Sequence, residues 1–539
     1  MRELLLWLWR VLKGNRRQTL LNAVIGILGV GVSLLMVMAM QHTIEIASGE
    51  REGRVLLGVV MMGTLILCEF ALNILRVWIK NILGVRAQNL MQQQILDRLL
   101  RSEWQGKNAY HTGDIINRLE QDVKTVVGFI TETLPNTVSV IMMFLGAFGY
   151  LLQMDAWLAV TTVGILPLFV AVSRIYVAQM RKLSRRVRKT DSRIQNLLTE
   201  VVQNMTLLKT LEAGSLMVGH LEEEQAELRS HVRRRTKFSI ASNLFVNGGF
   251  SLGYLIAFLW SAVRLSAHTI TFGQMTAFMQ LVYRIQGPAR EMTRLAPAFV
   301  SVFTAAERLL ELEAVPVEQQ GKGDLFQGSC GIRIKHVSYQ YNGATSPVIH
   351  DMSFDFKPGS CTAILGETGA GKTTLIRLIL ALMRPSDGHV EIYNKERATD
   401  ITPLHRCNLV YVPQGNTLLS GTIRDNLLLA NPKATDEQLW AALKMACADF
   451  VERLPEQLDT VCSESGGGLS EGQAQRIAVA RALLRDRPVM LFDEATSALD
   501  MDTERRLLKQ VLGSHQKTVI FITHRTAVVD YCDQTLRVG

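Results

Sequence analysis

The sequence predicts a chain in two parts: an all-α membrane domain of six spans with long cytoplasmic helical extensions, then an α/β domain of the P-loop class. Three observations carry this. Long charge-free runs are confined to the first 283 residues, the hydrophobic period changes to that of strands from residue 332, and a phosphate-loop motif begins at Gly366. A length of 539 residues suits either several ordinary domains or a membrane part plus a soluble one. The expected bounds are 1–310 for the membrane domain, 311–330 for a linker and 331–539 for the nucleotide-binding domain.

Charge divides the same way. The chain carries 58 Lys and Arg against 49 Asp and Glu, a net charge of +9, and residues 325–539 are almost balanced at 23 against 24. The whole surplus lies in residues 1–324, with 35 against 25, interrupted by apolar spans. That distribution excludes a uniformly basic nucleic-acid binder. The seven cysteines are scattered without a CxxC pair and read as buried, reduced thiols, and the eleven histidines show no metal-ligand spacing. Nothing in the opening MRELLLWLWRVLKGNRRQ ends in a small-residue cleavage site, so no removed segment is expected.

Residues 18–44, 133–154, 156–173, 238–263 and 265–283 contain no Asp, Glu, Lys or Arg, and 55–75 contains only Glu69. A charge at the bilayer centre costs about 2.5 to 3.5 kcal/mol on insertion scales, and a span needs roughly 20 residues. Six spans follow. The links at 45–54 and near Asp155 are short, whereas 76–128 and 174–237 are long and hold most of the Lys and Arg. The positive-inside rule therefore places the N-terminus and both long links in the cytoplasm. Both links are rich in good helix formers and should extend the spans as helices, folding back near Gly106 to Gly113 and near Ala213-Gly214-Ser215. Each would reach about 45 Å into the cytoplasm. Glu69 and Arg76 stand seven apart on one helical face, and intramembrane ionisable residues are candidates for substrate contact.

After a polar linker, residues 332–339 alternate as a strand, and Ser360 to Leu365 form an apolar strand entering Gly366-Glu367-Thr368-Gly369-Ala370-Gly371-Lys372-Thr373. This is GxxxxGK[ST] in full, with Leu375 to Leu382 as the helix that must follow. Only a Gly-rich turn lets backbone N–H groups approach a nucleotide's phosphates closely enough to wrap them. Lys372 then reaches the β- and γ-phosphates, and Thr373 ligates Mg2+, with Thr374 following in the same turn. Val489 to Phe492 form a buried-type strand ending in Asp493, a magnesium ligand, and Glu494 beside it is placed to deprotonate the attacking water.

Leu469-Ser470-Glu471-Gly472-Gln473 resembles the signature of the ATP-binding cassette (ABC) transporters, and further motifs stand around it in the family's order. Val337 to Tyr341 is similar to the adenine-stacking loop, with Tyr341 as the ring. Val412-Pro413-Gln414 is similar to the Q-loop, Ser497 to Asp500 to the D-loop and Thr523-His524 to the switch histidine. The six spans resemble the exporter-type membrane domain, with Gly113 to Val123 and Asn204 to Glu212 like its two coupling segments.

One P-loop and one signature imply a half-transporter that pairs with a second copy or a related chain. Each ATP would then lie between Lys372, Thr373, Gln414 and Asp493 of one chain and Ser470 and Gly472 of the other, with Gln414 also near Mg2+ and His524 at the γ-phosphate. The resemblance further implies an integral protein of a bacterial inner membrane, its nucleotide-binding domain cytoplasmic. The implied activity is ATP-driven export or flipping of an amphipathic or lipid-like molecule or peptide by an alternating-access dimer, with no nucleic-acid partner. Import on the same fold and a nucleotide-gated sensor are the alternatives. Three departures stand out: Glu471 for the signature's usual glycine, Ser463 for a glycine before Glu464, and Gly539 where the family continues into a terminal helical segment.

Overall fold

The computed structural model describes residues 6–7, 10–11, 16–103, 112–164, 166–341, 344, 346–367, 369–462, 468–513 and 516–538. The chain separates into two units, residues 1–97 with 112–314 and residues 98–111 with 315–539.

The first unit is helical throughout. α1 (Arg16–Ala47) and α2 (Val55–Arg101) are followed by α3 (Thr112–Asn117), α4 (Val123–Gly128) and α5 (Leu134–Met154), joined by π-helical turns. Then come α6 (Ala156–Gly164), α7 (Leu166–Gln203), the short α8 (Met205–Thr210), α9 (Gly214–Ser266) and α10 (Phe272–Ala314). Among the described residues, Arg16–Ala47, Val55–Arg101, Gly113–Met154 and Gly214–Ser266 are long and apolar enough to cross a membrane. Helices α6 with α7, and α10, stand where the remaining two spans are expected, so the helices are consistent with six crossings.

The sixth span differs from its expected limits. The charge-free run 265–283 is broken by a turn, where α9 ends at Ser266, His268 takes φ +53° and α10 starts at Phe272. A left-handed residue ends a helix whether or not a charge is near. The span therefore begins at Phe272.

The 47, 38 and 53 residues of α2, α7 and α9 make rods of about 70, 57 and 80 Å, far longer than a bilayer requires. The second fold-back falls as expected, with Glu212 at φ +54° just before α9 opens at Gly214; Gly106, in the first, lies outside the described residues. The core between α1, α5, α6, α9 and α10 holds Val37, Ala147, Leu151, Leu158, Ala257, Phe278, Leu281 and Ile285. An ionic cluster joins α3 and its π-turn to α10: Arg118 meets Asp114 and Glu311 at 2.8 Å, and Arg308 meets Asp122 at 3.1 Å.

The second unit is two sheets with helices. β1 (Gly331–Tyr339), β2 (Ile349–Phe356), β4 (Asp387–Tyr393) and β5 (Ala398–Asp400) make an antiparallel sheet in the order β2-β1-β4-β5. In β1 the expected alternation slips once: His336 adopts φ +49° and both registers shift there, which returns Val337 to the buried face beside Ile332 and Ile334. β3 (Cys361–Leu365), β6 (Leu409–Val412), β9 (Val489–Asp493), β10 (Thr518–Ile522) and β11 (Gln534–Arg537) make a parallel sheet in the order β11-β3-β10-β9-β6. A small ladder pairs β7 (Gly421–Thr422) with β8 (Val461–Cys462).

The helices of this unit are α11 (Lys372–Ile379), α12 (Ile423–Leu428), α13 (Asp436–Met445), α14 (Glu471–Arg485), α15 (Met501–Leu512) and α16 (Thr526–Val529). β9 and β10 are buried at every position, as central strands of a covered parallel sheet must be. Two cores flank the sheet, one under α11 with Leu375, Ile379 and Leu491, the other under α13 and α14 with Leu443, Ile477 and Phe492. The end of α2 belongs to this unit, since Ser102 bridges Val317 and Arg384 meets Glu103 at 3.3 Å.

Candidate ATP-binding site

β3 and β10 pair in register from Cys361 with Val519 to Ile364 with Ile522, so the loops leaving their C-terminal ends emerge side by side. In an open parallel sheet that edge is where ligands bind. After β3 come Gly366 to Gly371. A Cβ on Gly366 would collide with the Val538 carbonyl oxygen, and Gly371 holds φ +98° as the N-cap of α11, a conformation that only glycine adopts freely. Thr368 lies outside the described residues.

Lys372, the first residue of α11, is buried, and its Nζ donates to the carbonyls of Gly366 and of Glu367, the latter at 3.1 Å. The same Nζ lies 3.2 Å from His524 Nε2. That nitrogen in turn stands 3.3 Å from Glu494 Oε1, while Glu494 Oε2 accepts a hydrogen bond from Gln414 Nε2 at 2.7 Å. A lysine, an imidazole, a carboxylate and an amide from four separate segments thus converge. Glu494 reaches this point through an unusual backbone, φ +48°, with its N–H bonded to the Ile522 carbonyl at 3.0 Å. Strain of this kind is held where the surroundings over-determine it, and it clusters at functional sites.

Asp493 ends β9 and is buried, and Tyr411 Oη on β6 donates to its Oδ2 at 3.0 Å. Burial pushes the Asp493 carboxyl above the usual aspartate range, and the tyrosine bond pulls partly against it. Thr373 is exposed at the start of α11, and Gln414 is exposed at the end of β6. One carboxylate, one hydroxyl and one amide oxygen form a hard-oxygen donor set that suits Mg2+, an ion usually held by few protein ligands together with phosphate oxygens. Tyr341 Oη shares a hydrogen bond with Thr374 Oγ1 at 3.0 Å and accepts from Arg377 at 3.2 Å, while Tyr339 packs edge-on at 5.0 Å. The ring is thereby fixed beside the first turn of α11. Gly369 and Ala370 complete the loop.

The signature residues form a second cluster. Ser470 caps α14, its Oγ accepting from the Gln473 N–H at 3.3 Å while Gln473 Oε1 accepts from the Ser470 N–H at 2.8 Å. Glu471 is exposed in the first turn, where the helix dipole favours an acid. Gly472 is required by close packing, since a Cβ there would sit 2.7 Å from the Ala498 carbonyl oxygen. Asp500 caps α15, accepting from the Thr503 N–H at 2.9 Å, and these backbone bonds hold its carboxyl below the usual range. Among the described residues, no hydrogen bond or ion pair joins Ser470 to Gln473 with the Lys372 cluster within one chain. Ser463 and Glu464 lie outside the described residues.

Three contributors escape a motif search. Tyr411 stands in a buried strand, where its one visible signal is a polar ring two residues before Pro413. Gln475, buried on α14, grips the D-loop by donating to Ser497 Oγ and accepting from the Ala498 N–H, both at 3.2 Å. Arg525, next to His524, donates to the carbonyls of Leu499 at 3.0 Å and Ser497 at 2.5 Å and pairs with the buried Glu504 at 3.1 Å.

Comparison with known proteins places the chain in a family. The family model described as the ABC transporter transmembrane region matches residues 19–288, and the one described as ABC transporter matches 349–497. An ATP-dependent lipid A-core flippase of Bordetella avium is 27% identical over 485 residues, covering 87% of this chain and 80% of its own length. A putative multidrug export ATP-binding/permease protein of Staphylococcus aureus is 28% identical over 437 residues, covering 78% and 74%. The solved structure of a bacterial Atm1-family ABC exporter with ATP bound shares the fold, with a TM-score of 0.82 at 22% identity over 97% of this chain and 95% of that one. A family model that matches residues 19–288, half of the chain, and a second that matches 349–497 lead to one conclusion: this chain belongs to the ABC transporter family, as an integral membrane protein that hydrolyses ATP to drive transport.

Proposed function

We propose that two copies of this chain, or this chain and a related half, close their cassettes over two ATP molecules and thereby export or flip an amphipathic, lipid-like cargo. The observation that carries the hydrolytic reading is the convergence of Gln414, Glu494, His524 and Lys372 within hydrogen-bonding distance. The names of the relatives, a lipid A-core flippase and a multidrug exporter, favour export or flipping over import or sensing.

In this reading the N–H groups of Gly366 to Gly371 surround the β-phosphate, and Lys372 moves from the Gly366 and Glu367 carbonyls to the β- and γ-phosphates. Tyr341 stacks on the adenine. Thr373, Gln414 and Asp493 would hold Mg2+, which would supply charge neutralisation at the phosphates. Glu494 takes the proton of the attacking water, and His524 donates to the γ-phosphate. Ser470 and Gly472 reach the ATP of the partner chain through the N-terminal end of α14, with Glu471 and Gln473 beside them, and Asp500 lies at the interface. Closure is driven only by the higher affinity of ATP for the closed state, which those trans contacts supply. The domain bounds 1–310 and 331–539, the cytoplasmic cassette and the bacterial inner membrane belong to the same proposal, supported by the Lys and Arg of the two long links.

The deciding experiment is ATPase activity of the purified chain alone in lipid nanodiscs, beside Glu494→Gln. Magnesium-dependent hydrolysis that the substitution abolishes supports a catalytically sufficient homodimer. Nucleotide binding without hydrolysis by the unsubstituted chain overturns that and points to a missing partner half.

A further inference from the structure

Three charged residues of the spans, Glu69, Arg76 and Glu291, line one cavity. It has a volume of about 530 Å³ and lies between α1, α2, α5 and α10, with Glu69, Asn73 and Arg76 of α2, Ser139 of α5 and Glu291 of α10 in its wall. The rest of the wall is largely apolar, including Ile66, Phe70 and Met143. A cavity of this size, mostly apolar with a few placed polar groups, has the make-up of a small-ligand site.

Its depth follows from the helix. Glu69 stands 14 residues and Arg76 stands 21 residues beyond the start of α2 at Val55. At 1.5 Å per residue these are about 21 and 31 Å along the axis, so Arg76 sits near the far edge of a 30 Å hydrocarbon layer and Glu69 about 10 Å inside it. That far edge is the cytoplasmic one in the proposed orientation.

The two charges do not neutralise each other. Arg76 turns towards α5 instead, donating to Asn136 Oδ1 at 3.3 Å and lying 3.5 Å from Ser139 Oγ. Gly26 on α1 makes that possible, since a Cβ there would collide with Ser139 Oγ and stand 3.6 Å from Arg76 Cζ. A guanidinium has five N–H donors, and these two long contacts leave most of its capacity unused. Among the described residues, neither Glu69 nor Glu291 accepts a hydrogen bond. Arg284 of α10 acts on Glu69 electrostatically but gives its own N–H to Ser33. The wall thus presents an acid and a base about two helical turns apart, with a second acid opposite, inside a region where an unpaired charge is costly.

We infer that the cavity binds the head group of a zwitterionic amphiphile, its ammonium on Glu69, its phosphate or carboxylate on Arg76, and its chain against the apolar wall. A head group whose opposite charges stand a few bonds apart spans the gap between Glu69 and Arg76, with an ion pair at the carboxylate and a charge-assisted hydrogen bond at the guanidinium. A singly charged amphiphile satisfies one end and leaves the other uncompensated. This rests on the transporter reading, because it names the class of cargo for it.

The test is titration calorimetry of the full chain in dodecyl maltoside micelles. The probes are lauroyl lysophosphatidylcholine, lauroyl lysophosphatidic acid, dodecyltrimethylammonium and free phosphocholine, with magnesium-dependent ATPase measured on the same sample. The zwitterion is expected to bind about tenfold more tightly than either amphiphile of one charge sign, the difference one charged contact makes. Free phosphocholine, lacking the chain, should bind weakly. Glu69→Gln should weaken zwitterion binding and bring lysophosphatidic acid level with it, and Arg76→Gln should shift preference to dodecyltrimethylammonium. Preference of the unsubstituted chain for an amphiphile of one charge sign, equal binding of free phosphocholine, or folded variants that bind the zwitterion unchanged each overturn the inference. Should the variants not fold, the ligand order of the unsubstituted chain still decides. ATPase activity without zwitterion binding sinks this inference alone, whereas absence of both nucleotide binding and ATPase activity counts against the transporter reading.

Discussion

Gln414 Nε2 donates to Glu494 Oε2 at 2.7 Å, which ties the loop after β6 to the carboxylate after β9. Both residues leave neighbouring strands, β6 and β9 pairing from Leu409 with Val489 to Val412 with Phe492, so the contact is set by the sheet itself. If Glu494 is the general base, as proposed, an amide on a separate loop orients it, and the contact reports the position of that loop.

Glu494→Gln keeps the shape and removes the base. Hydrolysis in nanodiscs should fall by about 10² to 10⁴, the usual worth of a positioned general base, while ATP binding measured by calorimetry is retained. Gln414→Ala should reduce the rate less, since it removes orientation and leaves the carboxylate. Hydrolysis by Glu494→Gln at the unsubstituted rate would assign the base elsewhere.

The D-loop hangs between two clamps, Gln475 on α14 and Arg525 beside His524. In the proposed mechanism, a shift of His524 would therefore carry the segment that ends at Asp500 with it. Arg525→Ala should lower kcat for ATP about ten- to a hundredfold, as misplacement of a catalytic constellation by an ångström does, with ATP affinity little changed. Arg525→Lys should restore little, because one ammonium does not reproduce a fork that serves two carbonyls and the Glu504 carboxylate. An unchanged kcat would show that the clamp only supports the fold.

How far the site is legible in sequence depends on how local its chemistry is. Gly366 to Thr373 declares itself because phosphate wrapping requires glycines, a lysine and a hydroxyl at fixed offsets along one loop. Asp493 and Glu494 are visible because two acids follow an apolar strand. Tyr411 and Arg525 act across the fold, at partners 82 and 21 residues away, and no spacing marks them. The turn at 267–271 is missed for another reason: absence of charge marks compatibility with lipid, and a helix end at His268 is set by a backbone angle that composition does not encode. Glu69 and Arg76 are legible as a shared face, but the glycine that admits Arg76 to α5 is 50 residues upstream on another helix.

Arg406 ties the segment after α10 to the turn that follows α11. It meets Glu318 bidentately at 2.6 and 2.7 Å, and it donates to the Leu380 carbonyl at 2.8 Å and the Ala381 carbonyl at 2.6 Å. The Glu318 side chain is 11% exposed and that of Arg406 is 30% exposed, so the pair is only partly screened. Arg406→Ala leaves a nearly buried carboxylate unpaired and should destabilise this unit by about 2 to 3 kcal/mol, slightly below the range for fully buried pairs. Calorimetric unfolding of the full chain in detergent should show the loss, and Arg406→Lys should recover little of it. A transition temperature equal to that of the unsubstituted chain would refute the assignment.

As the proposed magnesium ligand, Asp493 links magnesium binding to pH. Its carboxyl is raised by burial, so it stays protonated to a higher pH than an exposed aspartate, and only the ionised form ligates Mg2+. Apparent affinity for magnesium-ATP is therefore full above the raised pKa and should fall by about tenfold per pH unit below it. Stability moves the opposite way: an acid with a raised folded pKa binds its proton more tightly when folded, so its contribution to stability is greatest below the unfolded value and declines as pH rises through the folded one. The Tyr411 hydroxyl donates to the ionised carboxylate and opposes the rise. Tyr411→Phe removes that donor without removing the ring, so the acid limb of magnesium-ATP binding should move to higher pH, by about one unit if the bond contributes about 1.4 kcal/mol. Well above the limb, the affinities of the two chains should coincide. Calorimetric titration of each chain across the acid limb measures the displacement, and a limb that stays in place or moves to lower pH would mean that the tyrosine does not hold the ionised form.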